Sequence, residues 1–156
     1  MPVEVPSQAD IGYQDELWIG RTPEGGGTVE WTQILGIETL NTPEKIPEDI
    51  DVTHMQSPGR TRETIPGLLA AADWSQEVQY WPGHASQLLL DELAALNETG
   101  EREDVLVEFG VGGVRRTYRG YVNSFTPTSS VGEKRMANLS MKIFERQATN
   151  PRTVAP

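Results

Sequence analysis

The chain has 156 residues with thirteen basic and twenty-three acidic side chains, and its net charge of −10 disfavours a protein that grips nucleic acid. It contains no cysteine, which excludes disulfide bridges and thiolate metal sites. The N-terminus lacks the basic and apolar regions of a signal peptide, and no apolar run reaches the length of a membrane span. We therefore expect one soluble domain with a single core.

The first half of the chain predicts short strands separated by turns. Residues 1–12 contain prolines and little pattern, which indicates an N-terminal arm. Residues 15–22 suit a strand, and residues 28–40 are rich in β-branched and aromatic side chains, which favours a strand bent at Gly36. Residues 50–53 form one more short extended piece, which leads into a long polar segment.

Residues 72–82 alternate between apolar and polar side chains, which predicts a half-buried strand. One face of that strand carries Trp74, Val78 and Tyr80, and the other carries Ser75, Glu77 and Gln79.

The only predicted helix starts near Ser86, a suitable N-cap, and stops at Gly100. At 100° per residue, its apolar side is formed by Ala85, Leu89, Leu90, Leu93 and Leu96. Gln87 and Asp91 are predicted to face away from the core.

Two strands flank the pair Gly112-Gly113, which is typical of a tight hairpin. With that turn, the opposing pairs are Val111 and Val114, Phe109 and Arg116, and Val107 and Tyr118. Glu108 then lies diagonally between Arg115 and Arg119 on the polar face, which predicts a solvated charge cluster across the strands.

Residues 134–146 alternate again, with Ala137, Leu139, Met141 and Ile143 on one face, and a polar tail follows at 147–156. The sum is five to seven strands and one helix. This predicts a mainly β fold at 13–146, an antiparallel β-sandwich or barrel with one flanking α-helix and a long inter-strand loop.

The residues that carry chemistry show no catalytic pattern. The only histidines, His54 and His84, lie outside any recognisable motif, and the acids are too scattered for a metal cluster. We expect no enzyme, no cofactor and no metal, with His84 at the surface or capping the helix.

The segment IDVTHMQSPGRTRETIPGL (50–68) is the remaining anomaly, because long polar connections are uncommon in compact domains. An active site, a disordered linker and an arm that grips another subunit are all compatible with it.

Taken in order, several pieces of residues 28–146 resemble the tail tube (major tail) proteins of long non-contractile-tailed bacteriophages and related phage-like particles. These pieces are IDVT, GRTRETIPGL and ADWSQEVQY, followed by YRGYVNS and ANLSMKI. The resemblance implies hexameric rings that stack into a hollow tube, through which DNA passes without specific binding. It also implies contacts with tape-measure, tail tip and tail terminator proteins, in a virion tail assembled in the host cytoplasm.

The resemblance further implies that residues 51–68 form a loop that reaches a neighbouring subunit. Its contact residues would be Asp51, Thr53, Ser57, Gly59, Arg60, Arg62 and Glu63, and Ile65–Leu68 would anchor its return to the body. Glu77 and Glu108, on polar strand faces, are the predicted lumen-facing acids. Two alternatives stay open: an inner tube of a contractile system, and a monomeric enzyme or lectin-like domain with a pocket near Trp74 or Trp81.

Overall fold

The computed structural model describes residues 4, 6, 7, 9, 11–23 and 25–150, with the backbone alone for 148–150. Residues 1–3, 5, 8 and 10 of the predicted N-terminal arm, and 151–156 of the predicted tail, lie outside these. In chain order the elements are β1 (Glu16–Arg21), β2 (Glu30–Gln33), β3 (Pro47–Asp51), β4 (Thr64–Leu69), β5 (Ala72–Gln79), α1 (Ala85–Glu98), β6 (Val105–Val111), β7 (Val114–Thr128) and β8 (Met136–Asn150).

Six strands form one antiparallel sheet in the order β2-β1-β6-β7-β8-β5, and β3 and β4 form a separate two-stranded sheet. The hairpin register predicted around Gly112-Gly113 is confirmed, with Phe109 opposite Arg116 and Val107 opposite Tyr118. The mainly β, antiparallel fold with one helix is confirmed as well.

The six-stranded sheet curls around its core instead of lying flat. Trp74 on β5 meets Phe109 on β6 edge to face, with ring centroids 5.1 Å apart. In a flat sheet these two strands, three positions apart, would be separated by roughly 14 Å. Register shifts near Tyr118 and Val122 in the β7–β8 pair bend these long strands and allow β5 to approach β6.

The core lies inside this curl, beneath α1. Its fully buried side chains alternate along the strands as predicted, including Val107, Phe109, Leu139, Met141 and Ile143. α1 closes one side with Leu90 and Leu93. None of the helices in the described part of the chain is long and apolar enough to cross a membrane.

The strand predicted for 28–40 is wrong in its second half, because regular structure ends at Gln33. Ile34 is buried, and the chain turns at Gly36, whose φ of 82° is in the left-handed region. Residues 36–41 then cross the core beside β5, where Gly36 accepts a hydrogen bond from the backbone of Gln79. This segment covers one end of the core, and the contacts that it makes there outweigh the preference of its residues for a strand.

Two buried side-chain amides, those of Gln76 and Gln87, form hydrogen bonds with the backbone of the segments that connect the strands and the helix. Gln76 accepts a hydrogen bond from the backbone N–H of Asn41 and donates to the carbonyl of Thr39. Gln87 accepts from the backbone N–H of Trp81 and donates to the carbonyl of Gln79. The prediction that Gln87 faces away from the core is therefore wrong: its side chain closes the turn between β5 and α1.

The N-cap of the helix lies two positions before the expected one. His84, and not Ser86, is the N-cap, because its ring nitrogen Nδ1 accepts a hydrogen bond from the backbone N–H of Ser86. The helix ends at Glu98, and Gly100 follows with a φ of 83°. At the other end of the chain, β8 continues to Asn150, so residues 147–150 of the predicted tail lie in a strand.

Candidate subunit interface

The long polar segment is a β-hairpin that stands apart from the main sheet. Its strands β3 and β4 pair antiparallel, with Ile50 opposite Ile65 and Asp51 opposite Thr64. We call residues 46–69 the arm and residues 52–63 its tip. Strand β4 was not predicted, because Pro66 and Gly67 are both unfavourable inside a strand.

Lys45 fixes both ends of the arm to the body. Its ammonium group donates to the carbonyl of Ala70 at 2.6 Å, just after β4, and to that of Ile143 on β8 at 3.1 Å. Burial lowers the pKa of Lys45, because removal from water disfavours its charged form. The base of the arm is therefore held at one point of the main sheet.

The tip is organised by its own side chains. The Ser57 hydroxyl donates to the Glu63 carboxylate at 2.8 Å and accepts from the backbone N–H of His54 at 3.0 Å. The backbone N–H of Glu63 donates to the hydroxyl of Thr53 at 2.9 Å. Three predicted contact residues, Thr53, Ser57 and Glu63, thus satisfy polar groups within the tip, where a neighbouring subunit was expected to do so.

The turn of the tip presents Arg60 to solvent. Gly59 and Arg60 both have positive φ, 64° and 56°, and this is a strained conformation for the arginine. Arg62 reaches the Asp51 carboxylate at 3.4 Å. Arg60 makes no ion pair with any residue that the structure describes, which leaves its charge available.

Asp51 holds the tip to β3 in its charged form. Hydrogen bonds from Thr53, through side chain and backbone, and then from Arg62 lower the pKa of Asp51 below its ordinary 3.8. This stabilisation of the folded tip is present above the pKa of Asp51 in the unfolded chain, and it is lost as the pH falls through the pKa of Asp51 in the folded protein.

In an acid titration followed by NMR, we expect the Thr53 amide to shift with a midpoint below 3.8. In Asp51→Asn this transition should disappear; a midpoint at or above the ordinary value would contradict the assignment.

The arm carries a concentration of exposed apolar side chains. Seven of the thirteen large hydrophobic residues found exposed in the described chain lie within it: Ile46, Ile50, Val52, Met55, Ile65, Leu68 and Leu69. A two-stranded ribbon is at best marginally stable alone in water. Its composition is therefore that of a surface which becomes covered by another molecule.

Three of these side chains share one face of the ribbon. Ile50 and Ile65 are direct partners, and Val52 follows by alternation. A register shift pairs Leu69 with Pro47, which places Leu69 on the other face. A Cβ at Gly67 would lie 2.8 Å from Ile50 Cδ1, so the Ile50 side chain lies across this glycine. We call Ile50, Val52 and Ile65 the apolar face of the arm. The prediction that Ile65–Leu68 anchor the arm to the body is wrong, since Ile65 is 49% and Leu68 84% exposed.

The edges of the ribbon are poorly suited to strand addition. Val52 N–H donates to the carbonyl of Glu63, so alternation makes Ile50–Ile65 a hydrogen-bonded pair and turns the backbone of Pro66 outward. Proline has no N–H to offer at that edge. Addition of a further strand is therefore disfavoured at the β4 edge of the ribbon.

The two predicted lumen-facing acids lie on the same side of the main sheet but differ in charge pairing. Glu77 is exposed and makes no ion pair with the described residues. Glu108 is half-buried and contacts Arg115 at 2.7 Å, and Arg115 also contacts Glu16 at 2.7 Å. The hydrogen bonds that Arg115 donates to the carboxylates of Glu108 and Glu16 raise the pKa of Arg115. Glu108 therefore has a compensated charge, in the cross-strand cluster that the sequence predicts.

The two tryptophans near which the lectin-like or enzyme alternative places a pocket are poorly positioned to line one. Trp74 is only 4% exposed, and its indole N–H donates to the carbonyl of Asn41 at 2.9 Å. Trp81 is partly exposed, but it packs edge-on against His84 with ring centroids 5.6 Å apart. The expectation of a ligand pocket lined by Trp74 is therefore wrong.

Comparison with known families provides the decisive observation. The family model described as lambda phage tail tube protein, TTP, matches residues 23–147, which is more than half of the chain. The chain belongs to this tail tube protein family. It is thus a structural component of the tail of a phage-type particle, and the resemblance found in the sequence is confirmed.

Solved structures with the same fold include tubes from different particles. A tail of an empty GTA particle with C6 symmetry has a TM-score of 0.60 at 18% identity, covering 86% of this chain and 93% of that one. The SPP1 tail tube has a TM-score of 0.58 at 11% identity, covering 86% and 76% respectively.

A sheath/tube terminator of an extracellular contractile injection system, PVC, has a TM-score of 0.60 at 10% identity, covering 96% of this chain and 100% of that one. Phage-type tails and a contractile injection system thus share this fold, and the family match favours the phage tail tube. Among curated protein sequences, none matches this chain.

Proposed function

We propose that this tail tube protein forms hexameric rings that stack into a hollow conduit, and that the arm is the main contact between subunits. The arm carries this proposal, because its apolar face has no partner within the described chain and its base is fixed to β8. The C6 symmetry of the GTA tail that shares this fold supports six copies per ring.

The arm is long enough to reach another copy. The six residues of β4 extend over roughly 20 Å at about 3.3 Å each. The contact is heterologous, since the arm of one copy meets a different surface on the next. Such contacts close around a ring and repeat along an axis, which is the geometry of a tube.

The remaining predicted contacts follow from the tube itself. A tape-measure protein would occupy the lumen during assembly, and tip and terminator proteins would bind the two ends. A net charge of −10 suits a conduit through which DNA moves without being held, because phosphates are attracted mainly by Lys and Arg. Glu77 is the better candidate for a lumen charge, since Glu108 is paired.

Replacing the tip tests this proposal. Val52 and Glu63 are joined by a backbone hydrogen bond of 3.0 Å, so Asn-Gly in place of residues 53–62 closes a tight turn and preserves β3 and β4. In negative-stain electron microscopy at rising concentration, the unaltered protein should form rings or tubes, and the tip-replaced protein should stay monomeric with an unchanged circular dichroism spectrum. Assembly of both proteins alike, or of neither, would contradict the proposal.

A further inference from the structure

We propose that the outer face of helix α1 in a second copy of this chain is the surface that receives the arm's tip. This rests on the proposed function, and it adds the identity of the receiving surface. The proposal joins two features that the fold leaves unpartnered: an exposed basic turn at the tip, and an acidic helix face with an apolar centre.

The outer face of α1 is defined by the residues opposite its buried side. Ser86, Leu90, Leu93 and Ala94 point inward, so Leu88, Asp91, Glu92, Ala95 and Glu98 point outward. Leu88, in the first turn of the helix, is 58% exposed. The segment 82–101 contains no Lys or Arg, so no charge of its own compensates these acids.

Two of these acids keep an unpaired charge. Glu92 contacts Arg21 at 3.3 Å, whereas Asp91 and Glu98 make no ion pair with any residue in the described ranges. They are seven positions apart, which places them about 10 Å apart along the helix. The face thus presents two separated carboxylates, with Leu88 and Ala95 beside them.

The tip has the complementary composition. It holds two of the thirteen basic and one of the twenty-three acidic residues, so the rest of the chain carries a net charge of −11. Its acid, Glu63, is already bound to Ser57, and Arg60 makes no ion pair with the residues that the structure describes. Met55, 94% exposed, supplies an apolar side chain to match Leu88.

Charge complementarity selects α1 over the other polar surfaces. On the polar face of the main sheet, acids other than Glu77 are paired with nearby cations, such as Asp104 and Glu145 with Arg119, both at 2.8 Å. Lys142 and Lys134 are likewise paired, with Asp73 and Glu38. An arginine approaching that face meets several cations as well as acids. The helix itself carries no Lys or Arg, and the one cation paired with its outer face is Arg21, at Glu92.

A charge-swap experiment tests the proposal, with the concentration at which rings form as the readout. Arg60→Glu should raise that concentration by about fivefold to tenfold, and Asp91→Lys with Glu98→Lys by a similar factor, as expected for exposed charge pairs repeated around a ring. All three changes together should return it to within about twofold of the unaltered protein. These positions are exposed, so melting temperatures should stay close to that of the unaltered protein.

The matched control reverses two exposed acids elsewhere, Glu30→Lys with Glu133→Lys, in the Arg60→Glu background. This pair makes the same change in net charge and should not restore assembly. Equal restoration by both pairs, or no effect of Arg60→Glu, would overturn the proposal. If the tip-replaced protein fails to assemble but both acid pairs restore assembly equally, only the assignment of the receiving surface is wrong. If the tip-replaced protein assembles, the proposed role of the arm fails too.

Discussion

Ile65→Lys should abolish assembly while leaving the monomer folded. Ile65 lies at the centre of the apolar face, opposite Ile50, and is half-exposed in the single chain. Burying a lysine ammonium in an apolar contact without a partner costs about 2 kcal/mol or more, which is roughly a thirtyfold increase in the concentration needed for assembly. Sedimentation velocity over a concentration series measures this shift directly.

Thr64→Lys is the matched control for that change. Thr64 is the preceding residue of β4, equally part of the ribbon, but its side chain lies on the opposite face beside Asp51. A lysine there stays in water near an acid, so we expect assembly within about threefold of the unaltered protein, which is the scale of a surface substitution. Equal loss in both variants would show that the arm does not dock through its apolar face.

Gly120→Ala should be the most destabilising small substitution in the main sheet. Gly120 lies on β7 where the register shifts, and a methyl group there would overlap the backbone carbonyl oxygen of Lys142 on β8. Because backbone cannot move aside without breaking the β7–β8 ladder, we expect a loss of about 2 to 4 kcal/mol in the free energy of unfolding. Urea denaturation of the monomer measures it.

Gly110→Ala provides the comparison within the same sheet. Gly110 is buried on β6, but a Cβ there would lie 3.5 Å from the Cβ of Glu16, an ordinary contact. The change should alter the free energy of unfolding by less than about 1 kcal/mol, since a strand disfavours glycine anyway. Similar losses at both positions would mean that glycine at 120 is not required by the close approach of β8.

The sequence predicted those parts of the fold in which local pattern and burial agree. The hairpin around Gly112-Gly113 and the alternating core of β8 follow from two-residue periodicity, and both are confirmed. The resemblance to tail tube proteins likewise came from ordered pieces of sequence, and the family match confirms it.

The errors arise where contacts between residues far apart in the sequence decide the local structure. Residues 34–40 have strand-like composition, yet they cross the core because Gln76 and Trp74 bind the backbone of Thr39 and Asn41. The burial of Gln76 could have been predicted, since alternation places it on the same face as Trp74 and Val78. The burial of Gln87 could not, because it depends on how the chain turns before α1.

The arm also shows that local sequence preference does not decide the structure, here because a strand forms where the sequence disfavours one. Its strand β4 contains Pro66 and Gly67, so propensity argued against a strand that pairing with β3 nevertheless forms. Which of its residues meet solvent also depends on that pairing: Ser57 and Glu63 bind each other, while Met55 and Arg60 point outward. Residue type alone does not separate these two groups.

The most direct measurement is a cryo-electron microscopy reconstruction of the unaltered assembly at a resolution that separates strands. We expect six copies per ring, with Ile50 and Ile65 of each arm buried against a neighbouring copy. An assembly in which the apolar face of the arm remains in solvent, or folds back onto its own subunit, would contradict it.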